Sequence, residues 1–119
     1  MSSYKKSGCK VVHCKKDKYD MYIGRPSRWG NPFSHLPNTA AHIRVKDRDE
    51  AVSAYREWLK GTKYKEILQE DREWILDNIG SLKGKTLACW CAPKKCHGDV
   101  LVELLEAAMT ETDEYEIER

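Results

Sequence analysis

Apolar positions recur along the chain with two different periods. Val11-Val12-His13-Cys14 is a short β-like run, and Tyr19-Asp20-Met21-Tyr22-Ile23 alternates in polarity with β-forming side chains. The polar Lys15-Lys16-Asp17-Lys18 between them suits a hairpin turn, with a crossed pairing as the alternative. From Asp47 the period lengthens. Asp47 and Glu50 have the spacing of a capping box, and Ala51, Tyr55, Trp58 and Leu59 mark one face of a helix that stops at Gly61. A second helix is predicted from about Lys63 to Ile79, with Tyr64, Ile67, Leu68, Ile75 and Ile79 inward and Gly80 at its end. Lys83-Gly84-Lys85 is a turn, Thr86 to Cys91 a buried strand, and Asp99 to about Met109 a third helix with Leu101, Leu104, Leu105 and Ala108 inward. The order β-β-loop-α-α-β-α predicts a single small α/β sandwich over residues 1–109, in which a helical crossover returns the chain to the sheet. The acidic end, Thr110–Arg119, is expected as a frayed tail.

With 119 residues there is room for one domain, and 40% hydrophobic against 34% charged positions reads as globular. The net charge of +2 conceals a gradient: residues 1–46 carry a balance of +8, residues 47–95 of +1 and residues 96–119 of −7. That excludes a uniformly basic nucleic-acid coat and leaves a positive front with a negative tail. No apolar run reaches the roughly 18 residues of a membrane span, and Met1 to Lys10 lacks the apolar stretch of a signal peptide. No membrane partner is expected, and a cytoplasmic location is. The odd count of five cysteines agrees, being a poor disulfide framework.

Between Gly24 and Lys46 nothing is periodic, yet Trp29 and Phe33 are too apolar for disorder, so this reads as an ordered functional loop. Gly24-Arg25-Pro26-Ser27-Arg28-Trp29-Gly30-Asn31 holds the parts of a small anion-binding kit. Arg25 and Arg28 would neutralise phosphate, Trp29 would stack on a base, Asn31 would hydrogen-bond and Gly24 would let a ligand approach the backbone. The competing explanation is that the aromatics only anchor the loop while the arginines sit in water.

The second motif is Cys89-Trp90-Cys91-Ala92-Pro93-Lys94-Lys95-Cys96-His97-Gly98-Asp99. In a strand Cys89 and Cys91 point to one side and Trp90 to the other. Cys89, Cys91, Cys96 and His97 form a candidate Cys₃His zinc set, although Cys-x-Cys departs from the usual knuckle spacing. Packing of small apolar cysteines in a buried strand is the alternative. Residues 96–99 also open a helix, where free N–H groups at His97 and Gly98 would favour an anion and lower the Cys96 pKa. Cys96 is thus a candidate nucleophile. Asp99 is a candidate catalytic carboxylate or simply a helix cap.

Tyr22-Ile23-Gly24-Arg25 leading to Trp29-Gly30-Asn31-Pro32-Phe33, followed by Leu87-Ala88-Cys89-Trp90-Cys91 and Cys96-His97-Gly98-Asp99-Val100-Leu101, resembles the small bacterial and phage family designated domain of unknown function 4326. The likeness runs from about Val11 to Leu105. It implies that both motifs are family hallmarks, consistent with one site, and implies no reaction.

The leading expectation is therefore a domain that binds a phosphorylated, nucleotide-like small molecule between the Arg25–Phe33 loop and the Cys96–Asp99 helix start, and hydrolyses it or transfers a group from it. A zinc-stabilised module for single-stranded nucleic acid is one alternative. A phage-type protein-interaction module, its acidic tail mimicking nucleic acid, is the other. The sequence does not set the oligomeric state.

Overall fold

The computed structural model describes residues 7–25, 27–36, 43–92 and 94–117. Met1–Lys6, Pro26, residues 37–42, Pro93 and residues 118–119, which carry part of the expected basic terminus, loop and tail, lie outside the described residues.

Three strands, β1 (Lys10–His13), β2 (Met21–Tyr22) and β5 (Thr86–Cys89), form an all-parallel sheet in the order β1-β5-β2. β1 pairs Lys10 with Thr86 through His13 with Cys89, and β2 pairs Met21 with Leu87 and Tyr22 with Ala88. The hairpin expectation is replaced by crossed pairing, because Leu87 and Ala88 are fully buried and occupy the centre between the two earlier strands. Parallel strands need long connections, and here the whole of residues 24–85 supplies one of them.

Within the expected loop, β3 (Phe33–Ser34) and β4 (Ile43–Arg44) form a second small parallel pair. The first helix, α1 (Arg48–Lys60), begins with the predicted capping box. Asp47 accepts from the Glu50 N–H at 2.8 Å, and the Glu50 carboxylate accepts from the Lys46 N–H at 2.7 Å. Gly61 closes it in the left-handed region at φ 80°, where a side chain would be strained.

The second helix is shorter than its periodicity predicts: α2 covers Gln69–Asn78, and a 3₁₀ turn follows over Ile79–Leu82. Residues 61–68 instead fold over α1, where the Trp58 indole donates to the Ile67 carbonyl at 2.7 Å. Tyr64 and Leu68 take positive φ there. The last helix, α3, runs from His97 to Ile117, well past Met109, through a stretch with no proline or glycine after Gly98. It contacts β1, β5 and α1. One apolar cluster joins Ile23, Phe33, Tyr55, Trp58, Leu87, Val100 and Leu101 across all these elements.

Candidate functional site

A parallel sheet presents its strand C-termini on one edge, where α/β folds commonly hold ligands. His13, Tyr22 and Cys89 end the three strands together. Beyond this edge lies a cavity of about 210 Å³, lined by Gly24 and Arg25, by Asn31 and Phe33 to Leu36, by the start of α1, and by Cys89 to Cys91 and Lys95 to His97. The two sequence motifs do meet here. Gly24, Arg25, Asn31, Cys89, Cys91, Cys96 and His97 all line it.

Arg25 is held by a bond from its guanidinium to the Asn31 carbonyl at 2.7 Å. Burial lowers its pKa, which the neighbouring Cys91 and Tyr22 partly offset. Asn31 is almost fully buried, but its side chain serves the loop: Nδ2 donates to the Ala51 carbonyl at 3.0 Å and Oδ1 accepts from the Phe33 N–H at 2.9 Å. These bonds fix the motif to α1.

Trp29 and Arg28 do not join them. Trp29 is buried against Trp74, ring centroids 4.9 Å apart, and its carbonyl accepts from the Tyr55 hydroxyl at 2.7 Å. Arg28 stands against the same Trp74 ring, 5.2 Å from its centroid, and 3.6 Å from Asp71. The stacking role expected of Trp29 and the phosphate role expected of Arg28 are therefore corrected: together they clamp the loop onto α2. The exposed aromatic at the cavity is Trp90, 57% exposed, with Lys15 5.4 Å from its ring centroid. Its indole N–H donates to the Tyr22 hydroxyl at 2.9 Å, which in turn donates to the Arg25 carbonyl at 3.0 Å. Strand alternation had placed Trp90 opposite the cysteines, so the signal for its exposure was present. Arg48 also lines the cavity and was missed. Its hint was a cation at the first position of a helix, where the dipole disfavours one.

The start of α3 is a capping box built on cysteine. The Cys96 Sγ accepts from the Gly98 N–H at 3.2 Å, while the Asp99 carboxylate accepts from the Cys96 N–H at 3.1 Å. The Asp99 N–H is also used, bonding the Cys96 carbonyl at 3.0 Å. Asp99 is thus a cap and lines a separate groove beside Glu103 and Glu106, which removes it from the candidate catalytic groups. The Gly98 N–H is spent internally, and its Cα is pressed against the sheet: a Cβ there would stand 2.8 Å from Ile23 Cδ1.

Cys89 and Cys96 meet at 3.0 Å between their sulfurs. The Cys89 thiol holds Cys96 below the ordinary thiol range, helped by the Gly98 N–H and opposed by burial. Cys91 pulls Cys89 down, but donation to Cys96 and burial outweigh it, so Cys89 is raised. Cys91 is itself raised by its bond to Cys89 and by burial. Of the three thiols, Cys96 is therefore the one shifted toward ionisation, while Cys89 and Cys91 are shifted away from it.

For zinc, the assembled donors fit poorly. His97 directs Nε2 at the Ile23 carbonyl, 2.7 Å away, and packs edge-on against Tyr55. Two sulfurs sharing one tetrahedral zinc with 2.3 Å bonds would stand about 3.8 Å apart, further than Cys89 and Cys96 do. Among the described residues no group of three or more His, Cys, Asp or Glu has a geometry that could hold a metal ion.

Burial lowers the His97 pKa, against the pull of the Ile23 carbonyl. The folded state keeps the imidazole neutral where the unfolded chain takes up a proton at about pH 6.5. The stability from His97 is then complete above that pH and is lost as the pH falls toward the folded pKa. Urea unfolding at pH 7.5 and 5.5 checks this, with His97→Gln expected to flatten the difference. An unchanged difference in the variant would place the acid sensitivity elsewhere.

Among the described residues no helix is long and apolar enough to cross a membrane. The chain is similar to the uncharacterized 12.4 kDa protein of the nrdA-td intergenic region of Enterobacteria phage T4, 27% identical over 121 aligned residues that span 99% of this chain and 96% of that one. No solved structure matches it. The model of the domain of unknown function DUF4326 matches residues 9–107, which include both motifs and every residue that frames the cavity, and the chain belongs to that family.

Proposed function

We propose that this protein binds a phosphorylated, nucleotide-like small molecule in the cavity between the Arg25–Phe33 loop and the start of α3. The supporting observation is the charge of the lining: Arg25, Arg48 and Lys95 contribute three cations, and among the described residues no carboxylate lines the cavity. Among the described residues neither arginine has an acidic partner, and Lys95 meets only the exposed Asp49 at 3.7 Å, a weak pair. A desolvated cation without an anion favours a ligand that supplies one.

Size narrows the reading. Cavities that enclose drug-sized molecules begin at roughly 300 Å³. This one suits a phosphate with its adjoining sugar, leaving a base at the rim beside Trp90. In this reading Cys96, which lines the cavity, reacts with such a ligand, by hydrolysis or group transfer.

A thermal-shift series with nucleoside monophosphates and sugar phosphates tests the proposal, followed by calorimetry on any that stabilise. Arg25→Ala and Arg48→Ala should each weaken binding by about 10- to 100-fold, the loss of one charge-assisted hydrogen bond. If no phosphorylated compound shifts the melting temperature at millimolar concentration, the proposal fails. A salt-dependent shift with single-stranded oligonucleotides alone would favour the nucleic-acid reading instead.

A further inference from the structure

We propose that Cys89 and Cys96 form a reversible dithiol–disulfide site that reduces small hydroperoxides in the cavity, with Cys96 as the sulfur that attacks the oxidant. The two sulfurs come from different elements, the end of β5 and the residue before α3, and already stand 3.0 Å apart. A small closing movement converts that contact into a disulfide of about 2.05 Å. Cys96 has its Sγ on the Gly98 N–H at the first turn of a helix, an environment that favours a thiolate. Cys89 supplies the resolving thiol beside it.

The oxidant class follows from access. The two residues are only 1% and 2% exposed, and both line the cavity wall. A bulky disulfide has no straight approach to them, whereas a small hydroperoxide fits the space. Arg25 and Arg48 line the same space and favour the negative charge that develops on the departing oxygen.

The steps balance. The Cys96 thiolate attacks one peroxide oxygen, the O–O bond breaks, and the departing alkoxide takes a proton from water to leave as an alcohol (water itself, from hydrogen peroxide). This leaves Cys96 as a sulfenic acid. Cys89 then attacks the Cys96 sulfur, the S–O bond breaks, and water departs with the Cys89 proton. Two thiols are oxidised and one hydroperoxide is reduced, and a small external dithiol that enters by the same cavity returns the pair to its reduced form, leaving as its own disulfide.

The test needs no ligand, so it stands or falls separately from the nucleotide proposal. Trypsin cuts after Lys94 and Lys95, which separates the Cys96 peptide from the one holding Cys89 and Cys91. After hydrogen peroxide, the wild-type protein should yield these two peptides cross-linked and lighter by two hydrogens. Cys91→Ser should keep the link. Cys89→Ser should lose it and instead show a dimedone adduct on Cys96, formed at least roughly tenfold faster than any on Cys14. The proposal is overturned if the link uses Cys91, if dimedone marks Cys14 first, or if peroxide leaves all thiols free in natively melting protein. A stoichiometric zinc ion that must leave before oxidation would overturn it as well.

Discussion

Trp58→Ala should lower stability by ~3–5 kcal/mol and the melting temperature by ~15–25 °C. Trp58 is 1% exposed and sits on α1, where its ring lies 5.8 Å from that of Tyr55. Its indole N–H holds the Ile67 carbonyl and thereby the whole connection from α1 to α2. Truncation would empty a large volume in a rigid setting and release residues 61–68 at the same time. Against a total of about 5–15 kcal/mol for a domain, that is a large share. Trp58→Phe separates the two contributions. The Ile67 carbonyl also accepts from Gln69 Nε2 at 2.9 Å, so it keeps a partner when the indole is lost. Trp58→Phe should therefore cost about 1–2 kcal/mol, mainly for volume. Chemical denaturation of both variants decides, and equal losses would show that the hydrogen bond carries the connection.

Gly98→Val should cost about 3 kcal/mol and disturb the site more than its distance from the ligand suggests. A Cβ at this position would stand 2.8 Å from Ile23 Cδ1 and 3.0–3.1 Å from both Val11 methyls. Either α3 lifts, and with it the cavity residue His97, or Val11 and Ile23 move, and Ile23 leads straight into the cavity residues Gly24 and Arg25. Gly98→Ala meets the same contacts but gains about 1 kcal/mol of helix propensity, so its net cost should be only about 1 kcal/mol. Gly80→Ala is the control. Nothing lies within 4 Å of a Cβ there, so the melting temperature should hold or rise. Thermal melts of the three variants, with Cys96 alkylation rates, give the answer. A Gly98→Val protein that melts and alkylates like wild type would mean that α3 is seated more loosely than these distances imply.

Some of this was legible from residue order and some was not. Local chemistry spoke clearly at Asp47, Glu50 and Gly61, because caps act within four residues and leave their spacing in the chain. The two motifs meeting at one cavity was also foreseeable, since each follows a strand that ends on the same edge. The roles inside the motifs were less so. Trp29 looked like a stacking platform until Trp74, forty-five residues away, took up its face. Asp99 looked reactive because capping and catalysis ask for the same carboxylate, and only its bond to the Cys96 N–H separates them. Arg48 was hidden by its place in a helix, since periodicity assigns faces without saying which other segment a face meets. The pairing of β1 and β2 was open for a related reason: polar turn residues permit a hairpin but do not require one.

The arrangement of that sheet has a consequence for how the protein comes into being. β1 and β2 have no hydrogen bonds to each other in the ladder; both depend on β5, whose partners lie sixty-six to seventy-six residues earlier. During synthesis the first two strands must wait, edges open, until residues 86–89 have left the ribosome. Such long-range pairing slows folding and leaves unpaired strands exposed. α1 and α2, with their local contacts, can form meanwhile and hold the chain compact. The last piece to enter the sheet is also the one that carries Cys89 and leads to Cys96, so the cavity does not exist until β5 has docked.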